Sequence, residues 1–124
     1  MKGRDMVIAP HAVHTDEHGI AGGVVPGTVS IVIPVLNEAH HLQELLPRLA
    51  KQSLRPLEIL VADANSTDGS QKVARRLGAT VVTGGRPSAG RTAGALAAGS
   101  EWVCFLDADT QLPGDRFLES ALQD

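Results

Sequence analysis

Acidic and amide side chains recur at the ends of apolar runs in this sequence. Asn37 and Glu38 follow the run Val29 to Val35, Asp63 follows Leu57 to Ala62, and Asp107 and Asp109 follow Glu101 to Leu106. A chain that only needed a core would have no use for this pattern. Two carboxylates flanking one residue, on a bend after a buried strand, can both turn toward a hard divalent cation, which takes oxygen ligands and keeps waters and substrate phosphates as its others. Asp107-Ala108-Asp109 therefore suits a metal and diphosphate site, although Asp-x-Asp alone fits a solvated turn with a helix-capping Asp equally well.

The elements that must position these groups are legible from periodicity. Val29-Ser-Ile-Val-Ile-Pro-Val35 is a short β-branched run of the kind that forms a buried strand. In Glu38 to Lys51, Leu42, Leu45, Leu46 and Leu49 fall at helical spacing and predict one apolar stripe against a sheet. Pro47 removes a backbone donor there and predicts a kinked or separate last turn. Leu57 to Ala62 predicts a second strand, Gln71 to Leu77 a helix closed by Gly78, and Ala79 to Thr83 a third strand. Gly84 to Gly90 reads as a flexible loop, and Arg91 to Ala98 as a small-residue helix able to lie very close to the sheet. Glu101 to Leu106 is a fourth strand, and Phe117, Leu118, Ala121 and Leu122 begin a last helix. Strands alternating with helices imply βαβ units, right-handed crossovers and a mainly parallel sheet, whose ligands gather at the carboxyl ends of the strands.

Residues 1–28 mix Gly, His, Pro and charge without a period and read as a flexible tail; 29–124 form the single domain. His11, His14 and His18 have a spacing that could ligate a metal on a helix, but no helical apolar pattern or fixed acidic partner accompanies them. A solvated tail explains them better.

Composition excludes several classes. Eleven Lys and Arg against fourteen Asp and Glu give a net charge of −3, too little to draw the chain onto nucleic acid or anionic lipid. Among aromatic residues only Trp102, Phe105 and Phe117 occur, so the core must be Val, Leu, Ile and Ala, as suits a parallel α/β sheet. The single cysteine, Cys104, lies in an apolar run and reads as a small buried hydrophobe. No stretch approaches the roughly 18 apolar residues of a membrane span, and no signal-peptide core follows the start. The expected location is cytoplasmic or peripheral to a membrane.

Three blocks together carry a resemblance: Val29-Ser-Ile-Val-Ile-Pro-Val-Leu-Asn-Glu38, Val61-Ala-Asp-Ala-Asn-Ser-Thr-Asp-Gly-Ser70 and Phe105-Leu-Asp-Ala-Asp109. In this order and spacing they resemble the family-2 glycosyltransferases. The resemblance implies a GT-A fold, a Rossmann-like α/β/α sandwich, here cut after the DxD motif. It also implies a nucleotide-diphosphate sugar donor, Mg2+ or Mn2+ as cofactor, and inverting transfer to an acceptor hydroxyl on a lipid, saccharide or protein. By position, Pro34, Leu36, Asn37 and Glu38 would line the base and ribose pocket, and Asp63 would accept a hydrogen bond from the base. Arg91 would lie near the diphosphate, although Thr92 stands where the family commonly has Asn. Asp107 and Ala108 would contact the donor, with Asp107 and Asp109 the metal ligands. Asp68 reads as a helix cap.

The family's general base comes from the stretch after the metal motif, where only Thr110 to Asp124 remains, so no catalytic residue is assigned. A four-stranded sheet ending there would leave an apolar edge. Two alternatives accompany this reading: a nucleotide-binding remnant without turnover, and a haloacid-dehalogenase-type phosphohydrolase, whose nucleophile motif Leu106-Asp-Ala-Asp-Thr110 also fits. The latter motif belongs on a first strand, and it leaves the two upstream blocks unexplained. Dinucleotide and P-loop folds are excluded by the absence of glycines in Leu36-Asn-Glu38.

Overall fold

A computed structural model describes residues 6–10 and 25–123. In chain order its elements are β1 (Met6–Pro10), β2 (Val25–Val35), α1 (Ala39–Ala50), β3 (Glu58–Asp63), α2 (Ser70–Arg76), β4 (Thr80–Thr83), α3 (Pro87–Ala97), β5 (Ser100–Leu106) and α4 (Phe117–Gln123). The sheet order is β1-β5-β2-β3-β4. β2 pairs in parallel with both β3 and β5, and β3 with β4; β1 alone runs antiparallel, on the free side of β5.

β2 is central, so every residue from Val29 to Ile33 is buried, as a strand covered on both faces requires. Its side chains divide by the period of two. Val29, Ile31, Ile33 and Val35 join the leucines of α1, Val73 of α2 and Leu118 of α4 in the main core. Val32 points the other way, into a smaller cluster with Leu60, Ala98 and Val103, and α3 covers that face, which makes three layers. Gly78, at φ +94°, closes α2 as expected: its N–H and that of Ala79 donate to the carbonyls of Arg75 and Ala74, the paired bonds of a Schellman cap.

Four expectations need correction. Residues 1–28 are not a tail throughout, because Met6–Pro10 is a strand paired with β5 and Val25 to Thr28 belong to β2. The β-branched pair in Met6-Val-Ile-Ala-Pro10 was outweighed by the surrounding Gly and His. The histidines at 11, 14 and 18 lie outside the described residues. Among the described residues the sheet has five strands rather than four, so the outer edge of β5 is covered. Helix α3 begins at Pro87 and not at Arg91; proline at the first helical position suits the fixed φ of that ring, and Gly90 faces the sheet. Pro47 does not split off the last turn of α1, which continues to Ala50 with Leu49 fully buried beyond it. Burial of that last leucine outweighs the missing donor.

Three buried polar side chains tie neighbouring elements together. Ser30 and Ser100 are fully buried at the end of the sheet remote from the acidic residues. The Ser100 hydroxyl donates to Ser30 Oγ (2.6 Å), which donates to Glu58 (2.7 Å), joining three strands. Gln52, 3% exposed, donates to the Gly114 carbonyl (2.6 Å) and accepts from the Leu118 N–H (3.1 Å), so it caps α4 from the end of α1. Gln52→Leu leaves both backbone groups without partners, and we expect a loss of about 2 kcal/mol in urea denaturation. An unchanged midpoint would show that α4 is held by Leu118 alone.

Candidate functional site

The parallel register brings the ends of β2, β3, β4 and β5 to one rim. Val35 lies beside Asp63, Asp63 beside Thr83, and Val32 beside Phe105. The turns carrying Asn37 and Glu38, Asp63, the Gly84 to Arg86 connection, and Asp107 to Asp109 therefore share one end of the sheet, as the sequence predicts.

The first two of these turns are tied together by hydrogen bonds. Asn37 takes a left-handed φ of +54°, which Asn tolerates better than most residues. Its N–H donates to Ser66 Oγ (2.8 Å) and its side-chain carbonyl accepts from the Thr67 N–H (2.8 Å). The Glu38 N–H donates to Ser70 Oγ (3.0 Å). Asp68 does more than cap the helix it precedes: one carboxylate oxygen accepts from the Ser70 N–H (3.0 Å) and the other from Ala39 at the start of α1 (3.0 Å). Hydrogen bonds from the Ser70 side chain and from Ala39 lower its pKa from the ordinary value.

Asp63 is 3% exposed, and its carboxylate accepts from the Ser66 N–H (2.9 Å), Ser66 Oγ (2.5 Å) and Gln71 Nε2 (2.7 Å). Burial alone would raise its pKa, but the bonds from Ser66, Gln71 and the Asn65 backbone prevail and lower it. Gln71 and Ser66 were not singled out from sequence; as polar residues three and eight positions after a strand-end Asp, they offered a local signal.

Asp107-Ala108-Asp109 alternates in direction. Ala108 is 5% exposed and belongs to the main core, whereas Asp107 and Asp109 are both exposed on the rim. The buried methyl thus anchors the turn that presents the two carboxylates. The Thr110 N–H donates to the Asp107 carbonyl (3.0 Å), closing the bend. Thr110 Oγ1 is buried without a hydrogen-bond partner among the described residues. No group of three or more His, Cys, Asp or Glu able to hold a metal occurs among those residues. A cation here would have the two carboxylates as its side-chain ligands and take its remaining oxygens from water and phosphate, as Mg2+ commonly does.

His41 lies outside the three sequence blocks. It lies three residues after Glu38 on the first turn of α1, where its Nδ1 is hydrogen-bonded to the Glu38 carboxylate. That bond raises its pKa, and the charges of Glu38, Asp109 and Glu44 raise it further. His41 is therefore within electrostatic range of Asp109. Leu36 is 56% exposed, an apolar side chain at the rim. Pro34 is partly buried, and the face of Gly90 lies against it, while Arg91 is exposed on α3. Cys104 is buried on β5 as expected, and burial pushes its thiol up to about 12.

Residues 30–123 match the family described as glycosyl transferase family 2. The chain belongs to this family. Its relatives include the succinoglycan biosynthesis protein ExoA of Rhizobium meliloti, 38% identical over 106 residues that cover 74% of this chain and 32% of that protein. Among solved structures, Staphylococcus aureus TarS 1-349 in complex with UDP superposes with a TM-score of 0.67 at 25% identity, covering 77% of this chain and 31% of that one. The mannosyltransferase PcManGT of Pyrobaculum calidifontis, in complex with GDP-Man and Mn2+, gives 0.66 at 28% identity, covering 93% of this chain and 35% of that one. The GT-A fold expected from the three sequence blocks is therefore the fold observed. Membership removes the phosphohydrolase alternative. The chain spans about a third of the length of the relatives it matches. No helix among the described residues is long and apolar enough to cross a membrane.

Proposed function

We propose that the rim binds the nucleotide diphosphate of a sugar donor together with Mg2+ or Mn2+, as the donor half of an inverting glycosyltransferase whose acceptor carries a hydroxyl. The observation that carries this reading is the Asp107-Ala108-Asp109 turn, with its methyl in the core and both carboxylates on the rim. The unpartnered Thr110 Oγ1 beside it fits a site that gains a polar occupant. TarS with UDP and PcManGT with GDP-Man and Mn2+ support the choice of ligand class.

In this reading Leu36 offers its exposed side chain to the base, with Pro34 completing the wall. Asn37 and Asp63 hold the two pocket turns in register through Ser66, and an Asp63 oxygen takes the base edge. Glu38 meets the ribose, and Arg91 reaches the diphosphate with its planar fork. Ala108 contributes its backbone. Asp107 and Asp109 hold the cation, which when bound offsets the charge that develops on the leaving diphosphate.

Calorimetric titration with UDP and GDP, each with and without Mn2+, tests the proposal. We expect metal-dependent binding of one nucleotide, and Asp109→Ala is expected to weaken it at least about tenfold, or about 1.4 kcal/mol. A folded chain that binds neither nucleotide would instead be an inert remnant, and the site assignments would fall with the proposal.

A further inference from the structure

β1 lies outside the family match, which begins at residue 30. Without it the sheet order is β5-β2-β3-β4, in which the fourth parallel strand sits beside the first. A doubly wound sheet of that order next grows beside its fourth strand. The lane outside β5 is therefore the growth edge of this topology, and β1 fills it against the direction of the other strands, pairing from Met6 opposite Leu106 to Pro10 opposite Trp102.

Among the β1 side chains described, Val7 is 55% exposed, Pro10 is exposed, and Ile8 packs against the main core. Fourteen residues separate Pro10 from Val25, a connection long enough for β1 to leave the sheet without disturbing β2.

We propose that the outer edge of β5 is a strand-accepting lane, and that β1 is a detachable occupant which this chain supplies to itself. The lane takes a short apolar segment, extended and antiparallel to β5, by backbone pairing. Its occupant ends opposite Leu106, immediately before Asp107, and so braces the strand from which the acidic turn departs. The proposal is independent of the nucleotide-binding reading.

The test is complementation in trans. In an antiparallel pair alternate residues donate to the partner strand, so one of two adjacent prolines must remove a bond. The full chain carrying Val7→Pro and Ile8→Pro is titrated with a synthetic peptide of the sequence of residues 4–12, following the emission of Trp102, the chain's sole tryptophan and the cross-strand neighbour of Pro10. We expect the variant to keep its far-ultraviolet circular dichroism and to bind the peptide saturably. The affinity should exceed that of the unsubstituted chain at least tenfold, and a peptide with the same two prolines should not bind. A folded variant that takes up no peptide would overturn the lane, and a variant that no longer folds would show β1 to be integral rather than detachable.

Discussion

Asp63→Ala is expected to lower folding stability by about 3 kcal/mol and, in the same variant, to abolish nucleotide binding at the rim. The magnitude follows from what the carboxylate holds. It is buried and accepts three hydrogen bonds, from the Ser66 N–H, Ser66 Oγ and Gln71 Nε2. Hydrogen bonds to a charged acceptor contribute about 1.5–3 kcal/mol, and donors left buried without partners add a cost of their own. The loss extends beyond the site of substitution, because Ser66 also accepts from the Asn37 N–H and Thr67 donates to the Asn37 side chain. Releasing Ser66 frees the turn after β2 as well as the one after β3. Urea denaturation at neutral pH measures the first effect and calorimetry the second. A variant as stable as the parent would refute the structural role.

The same carboxylate makes stability depend on acid. Its folded pKa is depressed, because the donors from Ser66 and Gln71 outweigh the burial that opposes them. As pH falls, the unfolded chain takes up the proton first, so it binds more protons than the native state within that window, and stability declines with falling pH. The stabilisation is complete above the ordinary carboxylate pKa, about 3.9, and is lost as pH drops through the folded value. Asp68 acts in the same direction, since its pKa is also lowered. The urea midpoint should therefore fall below about pH 4, with a shallower fall in Asp63→Asn. An equal slope in both proteins would assign the acid sensitivity elsewhere.

How much of this was legible in sequence depends on how local the signal is. Val29 to Val35 and the leucines of α1 announce their elements because burial imposes a period on neighbouring residues. The three acidic blocks announce one rim, because a parallel sheet delivers every strand end to the same side. β1 is hidden for the opposite reason: a five-residue strand at an edge needs little more than backbone to pair, and its partners on β5 lie 92 (Pro10 to Trp102) to 100 (Met6 to Leu106) residues away. The start of α3 was missed because Gly84-Gly-Arg-Pro-Ser-Ala-Gly90 has the composition of a loop. In the fold, Pro87 opens a helix there, and the helix lies close on the sheet at Gly90 and Gly94. The lacing of Asn37, Ser66, Asp68 and Ser70 was equally hidden, since Asp68 serves Ala39 across a gap of 29 residues. Sequence periodicity carries no information about that pairing.

That close approach also sets the largest effect expected away from the rim. Gly94 is buried on the sheet side of α3, and a Cβ placed there would lie 2.3 Å from Val32 Cγ1 and 3.0 Å from Cγ2. Val32 is fully buried in the centre of β2. Its branched side chain is stiff at χ1, and even the Val32 Cβ would lie 3.2 Å from the added methyl. Alanine gains about 1 kcal/mol over glycine in a helix interior, while overpacking a core costs about 1–3 kcal/mol. The strain should prevail, because α3 can relieve it only by lifting from the sheet. Lifting would also open the contact one turn earlier, where a Cβ placed on Gly90 would lie 3.3 Å from the Cβ atoms of Pro34 and Ala62. We expect Gly94→Ala to lose about 1–2 kcal/mol net and Gly94→Val to lose more. Val32→Ala should be destabilising alone through the cavity it leaves, yet less so in the presence of Gly94→Ala, whose methyl enters that space. Denaturation of the two single variants and the double variant closes the cycle, and a coupling of at least about 1 kcal/mol is expected. If Gly94→Ala were instead stabilised by its helix propensity, α3 would not lie against β2 in solution, and Arg91, carried on the same helix, could not be positioned from the sheet.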